Sequence, residues 1–226
     1  MLQPDETLPD VPRVPAPWTL QGHAWMVALR LPAGDPARTA FLPADLQASL
    51  KSAVSVLMCV AYDSAPCGPY RELLFVPGTA QFGQGRYPTI SRILVSTWDS
   101  VVNGRRNWGI PKDQASFDWS QADGNDHWRV SSDGHEVCSL EFARPVGPRL
   151  PLRSQWAPGA IGTVAQRLAG RTCYVRPEAR GWMRMCRLRR IHCNGVLFPD
   201  LARATVLAAL RIEDFRMVFP VARIDP

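Results

Sequence analysis

Short apolar runs broken by turn residues dominate the hydrophobic pattern, and long helical periodicity is scarce. Residues 23–31 (HAWMVALRL) lie between Gly22 and Pro32 and predict an opening strand with Arg30 near its end. Residues 41–52 have mixed polarity, and Asp45 offers a cap for a short helix or turn. Residues 53–62 and 70–76 read as buried strands separated by the Pro/Gly-containing turn at 63–69. The three glycines in residues 78–88 predict a loop over a cleft, and residues 89–96 a further strand. Thr97 then caps one or two helical turns that stop before Gly104.

In residues 107–112 (NWGIPK), Gly109 and Pro111 exclude a regular helix and hold Lys112 on a defined bend. Residues 116–120, 127–131 and 136–143 predict a β-meander turned by Asp123-Gly124 and Asp133-Gly134. The four prolines of residues 145–158 mark a connector. Beyond it, residues 172–175 and 181–192 read as strands, the Ala- and Leu-rich residues 201–210 as a helix, and residues 215–221 as a returning strand. The sum is about nine or ten strands with two or three short helices and no alternating βαβ rhythm. This predicts an α+β class, mainly antiparallel and barrel-like.

Composition narrows the class of protein. With 46% hydrophobic and 20% charged positions in 226 residues, disorder is excluded as the dominant state. A Pro-rich, mildly acidic arm over residues 1–20 precedes a single domain over residues 21–226. No apolar run approaches the roughly 18 residues that span a bilayer, and the start lacks the basic-then-apolar pattern of an export signal. We therefore expect a cytoplasmic protein without a membrane partner. The six cysteines (Cys59, Cys67, Cys138, Cys173, Cys186, Cys193) form no C-x-x-C pair and are expected as buried thiols.

The net charge of +6 raises the question of nucleic acid, because six arginines lie between Arg176 and Arg190 against one acid, Glu178. They are interleaved with Trp182, Met183, Met185, Leu188 and Ile191, which reads as a strand with one packed and one solvated face, so no nucleic-acid partner is expected. His23, His127, His135 and His192 lack zinc-site spacing, and no phosphate-binding glycine motif is followed by a helix, so no metal or other cofactor is expected.

Of the 26 basic residues only Lys51 and Lys112 are lysines. Arginine cannot serve as an amine nucleophile, whereas lysine can when it loses its proton. Lys51 lies in a polar surface stretch, but Lys112 follows a constrained bend. Tyr70-Arg71-Glu72, Gly104-Arg105 and Pro111-Lys112 occur in an order and spacing that resemble the acetoacetate decarboxylase family.

That resemblance implies a closed β-barrel or cone with peripheral helices, an enclosed cavity and a homo-oligomer. It implies that Lys112 forms an imine with a small keto acid and that Glu72 is the neighbouring acid/base. Arg30 is expected to bind a substrate carboxylate and Arg105 to supply further positive charge, while Tyr70 and Trp108 form the pocket wall. The implied chemistry is decarboxylation or an aldolase- or dehydratase-type reaction; the alternative is a carboxylate-binding barrel that has lost catalysis. Asp113 stands where the decarboxylase proper has a second lysine, and an anion there would oppose activation of Lys112 if the two side chains approached.

Overall fold

The computed structural model describes residues 7–156 and 159–225. The first half contains strands β1 (Trp18–Arg30), β2 (Ser55–Ser64), β3 (Tyr70–Val76), β4 (Gly78–Phe82), β5 (Gly85–Thr89), β6 (Arg92–Val95) and β7 (Lys112–Gln114). Helix α1 (Ala44–Gln47) precedes β2, and helix α2 (Trp98–Trp108) joins β6 to β7. The meander follows as β8 (Ser116–Ala122), β9 (Asn125–Ser132) and β10 (His135–Phe142), then β11 (Val146–Arg153) and helix α3 (Gly159–Gly162). The remaining strands are β12 (Val164–Leu168), β13 (Arg171–Val175), β14 (Glu178–Cys186), β15 (Leu188–Cys193), β16 (Thr205–Phe219) and β17 (Arg223–Asp225).

An eight-stranded sheet runs β11-β14-β16-β1-β2-β3-β6-β7, and a four-stranded sheet runs β15-β10-β9-β8. A small β12-β13-β17 sheet and the β4-β5 hairpin complete the fold. Pairing is antiparallel except between β6 and β7, which are parallel because α2 carries the chain back between them.

Strict alternation gives the large sheet two buried faces. Trp25, Val27, Leu29, Leu57, Cys59, Ala61, Leu73, Phe75 and Leu94 pack against Trp128, Val130, Val137 and Leu140 of the four-stranded sheet. Their neighbours in sequence, among them Val60, Tyr62, Tyr70, Leu74, Ile93 and Val95, pack on the other side with Val101 and Trp108 of α2. A residue in β3 or β7 therefore belongs to one core or the other according to its parity. Parity is what separates Lys112 from Asp113.

The structure corrects several expectations. Among the described residues no sheet closes into a barrel: the eight-stranded sheet ends at β11 and β7. The chain leaves it through single residues, Ala115 between β7 and β8 and Arg187 between β14 and β15, and the terminal strand β11 carries Pro148 and Pro151, which have no N–H to pair onward. Of the helix expected at 201–210, residues 205–210 are instead the start of β16, which pairs with β1 and, from Ala209 onward, also with β14. Pairing on both sides, with β-branched Thr205 and Val206 at its start, overrides the helix preference of its alanines and leucines. The expected loop at 78–88 is the β4-β5 hairpin, and the proline-rich connector contains β11.

Helix α2 begins at Thr97, whose side chain accepts from the Ser100 N–H, but it runs through Gly104 and ends at Gly109 in the left-handed region (φ +61°). Cys138 and Cys193 are direct cross-strand partners joined as a disulfide, contrary to the expectation of free thiols. No helix among the described residues is long and apolar enough to cross a membrane.

The described part of the arm straps α2 of its own chain. The Val14 N–H donates to Asn103 Oδ1 (2.9 Å), and Asn103 Nδ2 and Asn107 Nδ2 donate to the carbonyls of Pro12 (3.0 Å) and Val14 (2.9 Å).

Candidate active site

β3 places Tyr70 and Glu72 on the α2 side of the sheet, and β7 starts with Lys112 on that side. The Lys112 amine donates to Glu72 Oε2 (3.0 Å) and Ser100 Oγ (3.0 Å) and lies 5.0 Å from the centre of the Tyr70 ring. Lys112 and Glu72 are each only 4% exposed and Ser100 is fully buried, so this ion pair is largely screened from water.

Glu72 is oriented from its other oxygen, where Oε1 accepts from the Tyr62 hydroxyl at 3.2 Å. Tyr62 is the cross-strand partner of Tyr70, and their rings lie 4.4 Å apart. Burial and the charge of Glu72 push both phenols well above the ordinary tyrosine range, so Tyr62 stays a donor.

Gly104 is explained by its distance from Lys112. A Cβ there would lie 2.7 Å from Lys112 Cδ and 2.9 Å from Cε, so the bare face of α2 makes room for the lysine stem. Ser100 is one turn earlier on the same face. Helix and lysine thus interlock through two helix residues four apart.

A cavity of about 190 Å³ adjoins the pair. Glu72, Lys112, Tyr62 and Tyr70 supply its polar edge, and the rest of its wall is apolar, including Trp18, Leu74, Ile93, Met217 and Phe219. Trp108 lines it too, with its N–H committed to the Pro220 carbonyl (2.7 Å) and its ring edge-on to Trp18.

Lys112, Glu72, Tyr70 and Trp108 are therefore brought together, but the two arginines are not. Arg30 is exposed at the end of β1, opposite Thr205, away from the cavity lining. Arg105 is buried under β7, where Nε donates to the Lys112 carbonyl (2.8 Å) and Nη2 to Asp113 Oδ1 (2.7 Å). Arg92 pairs with the other oxygen of Asp113. Asp113 thus faces the opposite side of β7 from Lys112 and is matched by two guanidinium groups, which removes the conflict its sequence position suggests. Arg105, Asp113 and Arg92 tie α2, β7 and β6 together and fix the backbone that carries Lys112.

Sequence reasoning missed Ser100 and Tyr62. For Ser100 the available signal was its i, i+4 relation to Gly104; for Tyr62 it was the pairing of two strands across the 63–69 turn.

The sequence model of the acetoacetate decarboxylase (ADC) family matches residues 11–157. A curated relative from Oryza sativa subsp. japonica, Protein NEOXANTHIN-DEFICIENT 1, is 28% identical over 109 residues. The match covers 47% of this chain and 35% of the rice protein, so the chain spans about a third of that relative's length.

Among solved structures, acetoacetate decarboxylase from Legionella pneumophila subsp. pneumophila str. Philadelphia 1 superposes with a TM-score of 0.71 at 12% identity, covering 97% of this chain and 93% of that one. An acetoacetate decarboxylase-like enzyme from Sphingomonas wittichii RW1 gives 0.65 at 16% identity, covering 93% of each chain. The enduracididine biosynthesis enzyme MppR complexed with pyruvate gives 0.61 at 16% identity, covering 93% of this chain and 91% of that one. At these identities the structures speak for the fold, and the family match extends over more than half of the sequence: the chain belongs to the acetoacetate decarboxylase family.

Proposed function

We propose that this protein is a cofactor-independent lyase whose Lys112 forms an imine with the carbonyl carbon of a small keto acid. The observation that carries the proposal is the buried Lys112 amine at the cavity wall, within 3.0 Å of a carboxylate that can take and return its proton. MppR, whose fold is similar, has been captured with pyruvate, itself a keto acid.

The sequence of events follows from the contacts. A proton moves from Lys112 to Glu72 Oε2, and Ser100 holds the neutral amine toward the cavity. The nitrogen adds to the carbonyl carbon of a β-keto acid, and the carbonyl oxygen leaves as water with one proton from that nitrogen and one from Glu72, which gives an iminium ion. Its positive nitrogen accepts the electron pair of the bond to the departing carboxylate, releasing CO2 and leaving an enamine. Glu72, reprotonated from solvent, protonates the enamine carbon, and water hydrolyses the resulting iminium to free the ketone product and restore the Lys112–Glu72 ion pair. Positioned proton transfer of this kind contributes about 10²- to 10⁴-fold to rate. The same enamine serves an aldolase- or dehydratase-type reaction, so the family of outcomes is set by the substrate.

Deuterium exchange tests the reading without knowledge of the natural substrate. Ketones and pyruvate incubated with the protein in D2O are expected to exchange their α-protons through the enamine. Lys112→Arg abolishes the exchange, and Glu72→Gln slows it about 10²-fold or more. Ligand binding with no exchange by the folded wild-type chain would instead identify a carbonyl-binding protein without catalysis.

A further inference from the structure

We infer that the compound taken up here is recognised by an aliphatic chain next to its ketone, with no cation reserved for a charged head; this rests on the imine reading above. Although 24 of the 26 basic residues are arginines, none lines the cavity among the described residues. Lys112 is the one cation there, and Glu72 already pairs with it. A second carboxylate on the ligand would lie in apolar surroundings beside the Glu72 carboxylate, which costs free energy on both counts.

The remainder of the wall is built for methylene groups. Leu20, Met58, Val60, Leu74, Ile93, Met217 and Phe219 come from the large sheet, where Met217 is the cross-strand partner of Leu20, and Ile90 and Val164 add to the wall from outside it. Unlike an apolar space left by poor packing, this one adjoins a polar cluster at one end, so a bound chain has a defined direction: ketone at Lys112 and tail among the aliphatic groups. Desolvation also matters to the chemistry. A β-keto carboxylate without a counter-cation in apolar surroundings is relieved of its charge when it departs as CO2.

Straight-chain 2-ketones from butanone to 2-decanone test this, with pyruvate and oxaloacetate as short charged comparators. Two readouts are taken: the concentration for half-maximal borohydride trapping on the wild-type chain, and quenching of the wall tryptophans Trp18 and Trp108 in Lys112→Met. Both are expected to tighten by about fourfold per added methylene until the chain fills the cavity. Val164→Phe is expected to shorten the longest chain that still gains. A flat series, or tighter half-saturation by the short charged acids, overturns the inference. Quenching that follows chain length while the wild-type chain gives no adduct retires the imine and leaves the aliphatic preference standing. Trapping with no chain-length dependence does the reverse. Quenching titrations on wild-type protein without borohydride give the same slope should Lys112→Met fail to fold.

Discussion

Adding one methyl group at Gly104 should separate the stability of this protein from its chemistry. In Gly104→Ala the new Cβ would sit 2.7 Å from Lys112 Cδ, against the 3.4 Å at which ordinary contact begins, so about 0.7 Å of movement is required. The atoms struck are the middle of a flexible side chain, not backbone, so the amine moves and the sheet stays. Overpacking costs about 1–3 kcal/mol, and alanine in place of glycine within a helix returns about 0.8–1.0 kcal/mol. The net loss is therefore about 0–2 kcal/mol, a fall in Tm of at most about 8 °C for a chain of this size. Displacing a reacting nitrogen by close to 1 Å costs about 10²-fold in rate. Calorimetry and the rate of ketone-dependent borohydride trapping on the same preparations read the two effects. A variant with wild-type trapping and an unchanged Tm would refute the interlock of α2 with Lys112.

Other perturbations read different parts of the account. Asp113→Asn leaves Arg92 and Arg105 buried against a neutral partner and is expected to cost about 3–5 kcal/mol, seen as a Tm lower by about 6–20 °C; an unchanged Tm would remove its anchoring role. Arg30→Ala, at an exposed strand end outside the cavity, should leave half-saturation within twofold, and a larger rise in a ligand titration would return it to the site. Tyr62 and Tyr70 have pKa values raised by burial, so the unfolded chain loses their protons first as the solution becomes alkaline. Their contribution is complete below pH 10 and declines above it. Tm should therefore fall with increasing pH beyond 10, and less steeply in Tyr62→Phe. Equal alkaline slopes in the two proteins would contradict that assignment.

The parts legible in the sequence are those whose local chemistry and tertiary role agree. Residues 70–76 are β3 because alternate positions feed two different cores, and both sets are apolar except at half-buried Arg71 and where Glu72 enters the site. Asp123-Gly124 and Asp133-Gly134 turn the meander with positive φ at every one of the four residues. Thr97 caps α2 as its side chain predicts. Lys112 and Glu72 could be singled out because lysine is scarce here and because the motifs around them follow the family order. Residues 205–210 could not be read correctly, since alanines and leucines describe a helix locally and only the flanking strands β1 and β14 make them a strand. Arg105 shows the same limit at the site. Its place in the motif suggests a charge for the substrate, but only three-dimensional contact reveals that it binds the Lys112 carbonyl and Asp113 instead.

The central claim is covalent attachment at one of two lysines. Borohydride added to the protein with a panel of ketones and β- and α-keto acids, followed by peptide mass spectrometry, locates any reduced imine. The account predicts a ketone-dependent adduct on the peptide carrying Lys112, none on exposed Lys51 in the same digest, and none at position 112 in Lys112→Arg. An adduct on Lys51 with Lys112 unmodified, or no adduct from the folded chain across the whole panel, would contradict it.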